Sequence, residues 1–167
     1  MSKMHRSITL SVAAVVVVVV AVAAACGGKK SAETRITVGA FTVPVPSGWK
    51  DVSSERTSPG QVGLSLVGHA PPVTLILSPA PSPLPFDPTD AAACAENGAR
   101  LPGVVGTPAV VDLPVGKACV VDSVASKRMV MTVIAVGDKG VMAQCQHGAE
   151  ADRGACDRIV RGIALAK

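Results

Sequence analysis

The five cysteines are the residues of this sequence with the most specific chemistry. Cys26 directly follows a long segment without charge, and the other four occur later in the chain, at Cys94, Cys119, Cys145 and Cys156. A thiol can be acylated, can be oxidised to a disulfide, or can bind a metal ion as the thiolate. An even set of four beside a fifth, isolated cysteine indicates that Cys26 has a role of its own.

The N-terminal residues have the pattern of an export signal. A basic start is followed by a charge-free run from Ile8 to Ala25, which ends in small side chains. A run of this length could just cross a bilayer as an uncleaved helix, for which about 20 apolar residues are needed, so a membrane span is the alternative. We predict a signal peptide over residues 1–25.

The three alanines before Cys26, Ala23 to Ala25, resemble the bacterial lipobox, in which the cysteine receives a diacylglycerol and becomes the first mature residue. Ala23 stands where the lipobox usually has leucine, and the same alanines suit the ordinary A-x-A peptidase. Parity favours lipidation, because ordinary cleavage would leave one unpaired thiol beside four others. We predict that Cys26 carries the lipid, with palmitate among its acyl chains, and that residues 26–33 tether the protein to the extracytoplasmic face of the cell membrane.

The four later cysteines are predicted to form two disulfides, because thiols in an oxidising compartment tend to bridge. Four cysteines can pair in three ways, and spacing alone does not choose among them. Cys145 ends a predicted hairpin and Cys156 lies on the apolar face of the following predicted helix, so we favour a bridge between these two. That pairing leaves Cys94 for Cys119.

No residue pattern indicates an enzyme or a cofactor. The sequence has no G-x-S-x-G motif, no P-loop and no dinucleotide fingerprint. Cys145, His147 and Cys156 are the alternative metal ligands, but they lack the paired C-x-x-C spacing of structural zinc sites. His69 and His147 are expected to be ordinary surface histidines. We therefore predict no catalytic residues, no metal and no cofactor.

The elements that hold these cysteines are predicted within one α+β domain, residues 34–167. Once Lys3 and Arg6 are removed, 14 basic residues face 12 acidic ones, and aromatic residues are few. This composition gives no reason to expect a nucleic-acid partner.

Period-two alternation from Ile36 to Val45 predicts one half-buried strand, which Pro44 and Pro46 should place at a sheet edge. Two apolar runs around Gly137 to Gly140 predict a hairpin. Residues 109–126 are predicted as two strands, or as one strand bent at Pro114. Together these patterns favour an antiparallel sheet covered by helices.

Two helices and a stiff connector complete the prediction. Residues 79–88 carry five prolines and are expected to form a surface connector of polyproline type. The next segment is predicted as a helix capped by Asp87 and stopped by Gly98, so Asp87 and Asp90 are explained as capping residues. Cys156, Ile159, Val160 and Ile163 have the spacing of a terminal helix.

The sequence resembles the LpqN/LpqT-like lipoproteins of actinobacteria in four features. These are the stretch "FTVPVPSGW", a helix in mid-chain, the hairpin and a terminal helix with "DRIVRGIAL". The resemblance implies a PsbP-like α/β/α sandwich, a location in the cell envelope and no established catalytic residues. We therefore expect a membrane-anchored, non-enzymatic binding domain with a protein or envelope partner. The alternative is a carrier that holds a small apolar ligand or lipid between sheet and helix.

Overall fold

Antiparallel strands make up most of the regular secondary structure of the protein, for which a computed structural model describes residues 33–58 and 60–167. The predicted signal peptide and Cys26 lie outside the described residues. The strands are β1 (Thr34–Val38), β2 (Phe41–Val45), β3 (Trp49–Asp51), β4 (Val62–Leu66), β5 (Thr74–Pro79), β6 (Ala109–Leu113), β7 (Gly116–Val124), β8 (Arg128–Val136), β9 (Lys139–His147) and β10 (Ala164–Leu165). The helices are α1 (Ser53–Arg56), α2 (Ala91–Ala99) and α3 (Glu150–Arg161).

Seven of the strands form one sheet in the order β3-β4-β5-β9-β8-β7-β6, and every neighbouring pair is antiparallel. The predicted hairpin is β8–β9, whose turn contains Gly137 with a φ of 63°. That conformation suits glycine, since it has no Cβ to clash. Residues 109–126 form two strands and not one bent strand, because the chain reverses between Leu113 and Gly116.

A second sheet of three strands, in the order β1-β2-β10, was not expected from the sequence. The single edge strand predicted from Ile36 to Val45 was wrong, because the chain reverses between Val38 and Phe41 and β2 is the middle strand. Pro44 lies within β2, opposite Arg35 of β1. Proline cannot donate to a strand ladder, but β10 reaches only as far as Phe41 and Thr42. Among the described strands, β2 therefore pairs at Pro44 with β1 alone.

The helices cover opposite faces of the seven-stranded sheet. Cys145 of β9 is paired in register with Val130 of β8, whereas Cys119 of β7 is paired with Val133. Val130 and Val133 are an odd number of residues apart, so their side chains leave the sheet on opposite faces. Because each of these cysteines is bonded to a helix, α3 lies on one face and α2 on the other.

The α3 face holds the larger apolar cluster, to which α3, the three-stranded sheet and the seven-stranded sheet all contribute. Phe41, Leu75, Ile134 and Ile159 are fully buried within it. The α2 face holds a smaller cluster, whose buried members are Cys94, Cys119, Val121 and Val133. The α+β class predicted from the sequence is confirmed.

The ends of α2 differ from the prediction. Its N-cap is Asp90, whose Oδ1 accepts from the amide of Ala93 at 2.7 Å, and not Asp87. Gly98 does not stop the helix but lies buried inside its last turn. A Cβ at Gly98 would stand 2.5 Å from Cγ of Pro108, so glycine is required there by close packing.

Candidate functional site

The two bonded cysteine pairs each join a helix to the seven-stranded sheet. Sγ of Cys94 in α2 is 2.09 Å from Sγ of Cys119 in β7, and Sγ of Cys145 in β9 is 2.07 Å from Sγ of Cys156 in α3. All four residues are buried. Within the described chain these sulfurs are therefore bonded to one another, and a bonded pair cannot serve as a nucleophile or as thiolate ligands.

His147 is buried, and its prediction as a surface histidine was wrong. It is 3% exposed, at the end of β9, and its Nδ1 lies 2.9 Å from the backbone oxygen of Ala149. A carbonyl oxygen only accepts, so this contact assigns a proton to Nδ1. His69 is exposed, and its Nδ1 lies 3.4 Å from Asp152. Residues 33–58 and 60–167 contain no group of three or more metal-ligating side chains.

A charged cleft of about 190 Å³ lies beside the N-terminal turn of α3. Its floor is a row of residues paired across three strands, Val124 of β7, Arg128 of β8 and His147 of β9. Its wall is α3, from which Glu150 binds Arg128 at 3.2 Å and Arg153 binds Asp122 at 2.9 Å. Arg153 also lies 3.8 Å from Asp157, four residues later on the same helix. The fold adds the contact with Asp122 of β7.

A second cleft, of about 540 Å³, lies at the opposite end of the hairpin and is here named the proline cleft. It forms where the proline-rich segment passes the β8–β9 turn. Its apolar lining residues are Pro83, Leu84, Phe86, Pro88 and Ala135. Leu84 and Phe86 are also packed against the α2-side cluster, so this segment contributes to the core as well as to the surface.

Two carboxylates line the proline cleft, those of Asp87 and Asp138. Oδ1 of Asp87 accepts from the hydroxyl of Thr89 at 2.7 Å and from its amide at 2.8 Å. These two hydrogen bonds lower the pKa of Asp87, the hydroxyl more than the amide. Among the described residues, no lysine, arginine or histidine lines this cleft.

The described residues contain no helix long and apolar enough to cross a membrane.

No family model and no curated protein sequence matches this chain. Several solved structures are similar to it in fold. A cyanobacterial PsbP (CyanoP) from Synechocystis sp. PCC 6803 is 14% identical with a TM-score of 0.56 and covers 84% of this chain and 97% of its own. The Ran-binding protein Mog1p of Saccharomyces cerevisiae is 15% identical with a TM-score of 0.50 and covers 80% and 95%. LpqN of Mycobacterium tuberculosis, described as involved in cell envelope biogenesis, is 16% identical with a TM-score of 0.47 and covers 81% and 91%.

The similarity to the cyanobacterial PsbP establishes the fold class. The chain has a PsbP-like α+β fold, which confirms the fold that the sequence resemblance implied. At such low identity the likeness concerns architecture alone, because one fold serves many unrelated functions. Membership of the LpqN/LpqT-like lipoproteins, the lipid on Cys26 and the role of the domain remain predictions.

The sequence did not predict either cleft, because each cleft is formed by segments that lie far apart in the chain. The proline cleft joins residues 82–89 to residues 135–138, and the charged cleft joins α3 to β7. Each segment carries a local signal, such as the prolines or the hairpin turn. No local pattern indicates that two such segments meet.

Proposed function

We propose that this protein is exported, is held on the extracytoplasmic face of the cell membrane by lipid on Cys26, and binds another protein of the envelope without catalysing a reaction. The observation that carries the proposal is the division of its cysteines. Four of them are bonded in two buried pairs, and Cys26 is the one cysteine of the sequence outside these pairs.

Disulfides persist in oxidising compartments, which supports export. Cys26 directly follows three alanines, which is the position of the modified cysteine in a lipobox, although Ala23 stands in place of the usual leucine. Two or more acyl chains hold a protein firmly at a membrane, whereas one does not. Binding of a protein partner is supported by Mog1p, in which the same fold belongs to a Ran-binding protein.

The carrier alternative requires space between α3 and the seven-stranded sheet. Leu75, Leu77 and Ile159 are fully buried there, in one continuous apolar cluster. A bound lipid would have to displace these side chains. The geometry therefore favours a surface that binds a partner over an interior that holds a ligand. Native mass spectrometry of the protein from its own host separates the two, since a carrier would show an adduct above the mass of the lipidated chain.

The anchor is tested by membrane fractionation of the full chain and of Cys26→Ser, with and without globomycin. We expect the wild-type chain in the membrane fraction and labelled by palmitate, and the serine variant unlabelled. Globomycin should cause a precursor to accumulate. Export of an unlabelled mature chain that is insensitive to globomycin would refute the lipid anchor.

The cysteine pairing is tested separately, by non-reducing peptide mapping of the exported protein. We expect Cys94–Cys119 and Cys145–Cys156, with Cys26 in neither. A Cys94–Cys145 crosslink, or free thiols at these four positions in exported material, would refute the scheme.

A further inference from the structure

The geometry points to the proline cleft as a docking site for a cationic, extended segment of a partner protein, in which lysine or arginine stands beside apolar residues. This inference deepens the proposed binding role and rests on it. Three observations at the cleft support it: its two carboxylates, its apolar lining and the five prolines of residues 79–88.

The negative charge of the cleft favours a cationic ligand. Asp87 and Asp138 line it, and no cationic side chain among the described residues does so. Lys139 follows Asp138 in the chain but is not among the lining residues. The carboxyl of Asp87 has a lowered pKa because Thr89 donates two hydrogen bonds to it, so the group stays ionised in mildly acidic surroundings. A positively charged side chain would meet complementary charge here.

The apolar residues that line the cleft favour a ligand with an apolar residue beside the cationic one. Pro83, Leu84 and Phe86 line it together with Ala135. The volume of about 540 Å³ is within the range of small binding sites, roughly 300–1,000 Å³. It suits a few residues of a peptide and not a folded domain.

The proline-rich segment makes the cleft preformed. Residues 79–88 include five prolines, each of which fixes its own φ. Leu84 and Phe86 anchor the segment to the α2-side cluster. Binding then requires little ordering of the receptor, and less of the interaction energy is lost to conformational entropy.

The test uses the full lipidated chain in nanodiscs of phosphatidylcholine, which carries no net charge. The probe is a short labelled peptide in which arginine alternates with proline, and its partner probe has glutamate in place of arginine. Fluorescence anisotropy measures binding, with empty nanodiscs as the blank. We expect the arginine peptide to bind at low salt, the glutamate peptide not to bind, and affinity to fall as salt is added.

The decisive variant is Asp87→Asn with Asp138→Asn. Asparagine keeps an oxygen that can accept from Thr89 and is well tolerated in tight turns, so the variant should fold. We expect its affinity for the arginine peptide to be about five- to tenfold lower. Asp138→Lys alone should weaken binding at least as much, since it places a cation at the cleft.

The matched control is Glu33→Gln with Glu55→Gln, which removes the same charge from two exposed carboxylates outside the cleft. It should bind the arginine peptide as the wild type does. Equal loss in this control would reduce the effect to net charge and overturn the inference, as would equal binding of both peptides or of neither.

The proposed function fails in a different way. If the cleft variants still crosslink to the same envelope protein as the wild type, the docking site is wrong and the binding role stands. If the chain is neither anchored nor crosslinked, the binding role is wrong whatever the peptides do.

Discussion

The two faces of the seven-stranded sheet are built alike but secured differently. Each carries one helix, joined to the sheet by one disulfide. The α3 face buries 17 residues in one cluster, and α3 supplies Ile159 and Val160 besides its cysteine. The α2 face buries four residues, and Cys94 and Gly98 are the buried residues of α2. The α3 helix is held mainly by apolar burial, whereas α2 depends on its disulfide.

The spacing of the cysteines strengthens this contrast. Cys94 and Cys119 are 25 residues apart, and Cys145 and Cys156 are 11 apart. In the loop-entropy account, closing these loops stabilises the folded state by about 3.5 and about 2.8 kcal/mol respectively. The larger contribution therefore falls on the face with the smaller core.

Ile159→Ala tests the claim that apolar burial holds α3. Ile159 is fully buried, and removing its side chain loses transfer free energy and leaves a cavity. We expect the free energy of unfolding to fall by about 4 kcal/mol, measured by urea denaturation with the disulfides intact. Val124→Ala, at a side chain that is 47% exposed, should change it by less than about 0.5 kcal/mol. A similar loss in both variants would refute the claim.

Removing each disulfide as a pair tests the contrast directly. Cys94→Ala with Cys119→Ala should cost about 3.5 kcal/mol, and amide hydrogen exchange should show α2 losing its protection first. Cys145→Ala with Cys156→Ala should cost about 2.8 kcal/mol while the amides of α3 stay protected. If α3 were the helix that detaches, the comparison between the faces would be wrong.

Two glycine substitutions should have opposite signs. Gly98→Ala places a Cβ 2.5 Å from Pro108 and 3.0 Å from Val121, so α2 must shift, and we expect a loss of about 1–2 kcal/mol. Gly154→Ala in α3 has no heavy atom within 4 Å of the new Cβ, so the better helix propensity of alanine should stabilise by about 0.5–1 kcal/mol. Thermal unfolding of both variants measures the pair. Two changes of the same sign would contradict the packing described for α2.

The smallest effect concerns the two turns that lead into α1 and α2. The pKa of Asp87 is lowered by hydrogen bonds from Thr89, and that of Asp51 by hydrogen bonds from Ser53, with the hydroxyl the larger cause in each. A carboxyl whose folded pKa is depressed stabilises the fold above its unfolded pKa, and this is lost as pH falls through the folded value. Stability should therefore decline below about pH 4. Asp87→Asn and Asp51→Asn should each make that decline less steep, and an unchanged acid limb would show that these bonds contribute nothing.

Much of the fold was predictable because its signals are local. The β8–β9 hairpin followed from two apolar runs around glycine, and α3 followed from the spacing of Cys156, Ile159 and Val160. The three-stranded sheet was not predictable in the same way. Its strand β10 has two residues, Ala164 and Leu165, which carry no periodicity and become a strand only by pairing with β2.

The candidate sites show the same difference between local sequence signals and contacts made by the fold. The sequence gives no sign that His147 is buried. It is buried because it lies at the end of β9, on the face of the sheet that α3 covers. The proline cleft needs residues about fifty positions apart, and they are brought together by the pairing of β5 with β9 and by the packing of Leu84 and Phe86 on the α2 side.

The sequence by itself determined the strand and helix periodicities, the class of the fold and the pattern at Cys26, because each of these depends on residues close together in the chain. Tertiary structure alone decided which face each helix covers and where carboxylates and apolar side chains share a cleft. Those outcomes depend on the register between distant strands, where a shift of one residue would turn every side chain to the other face.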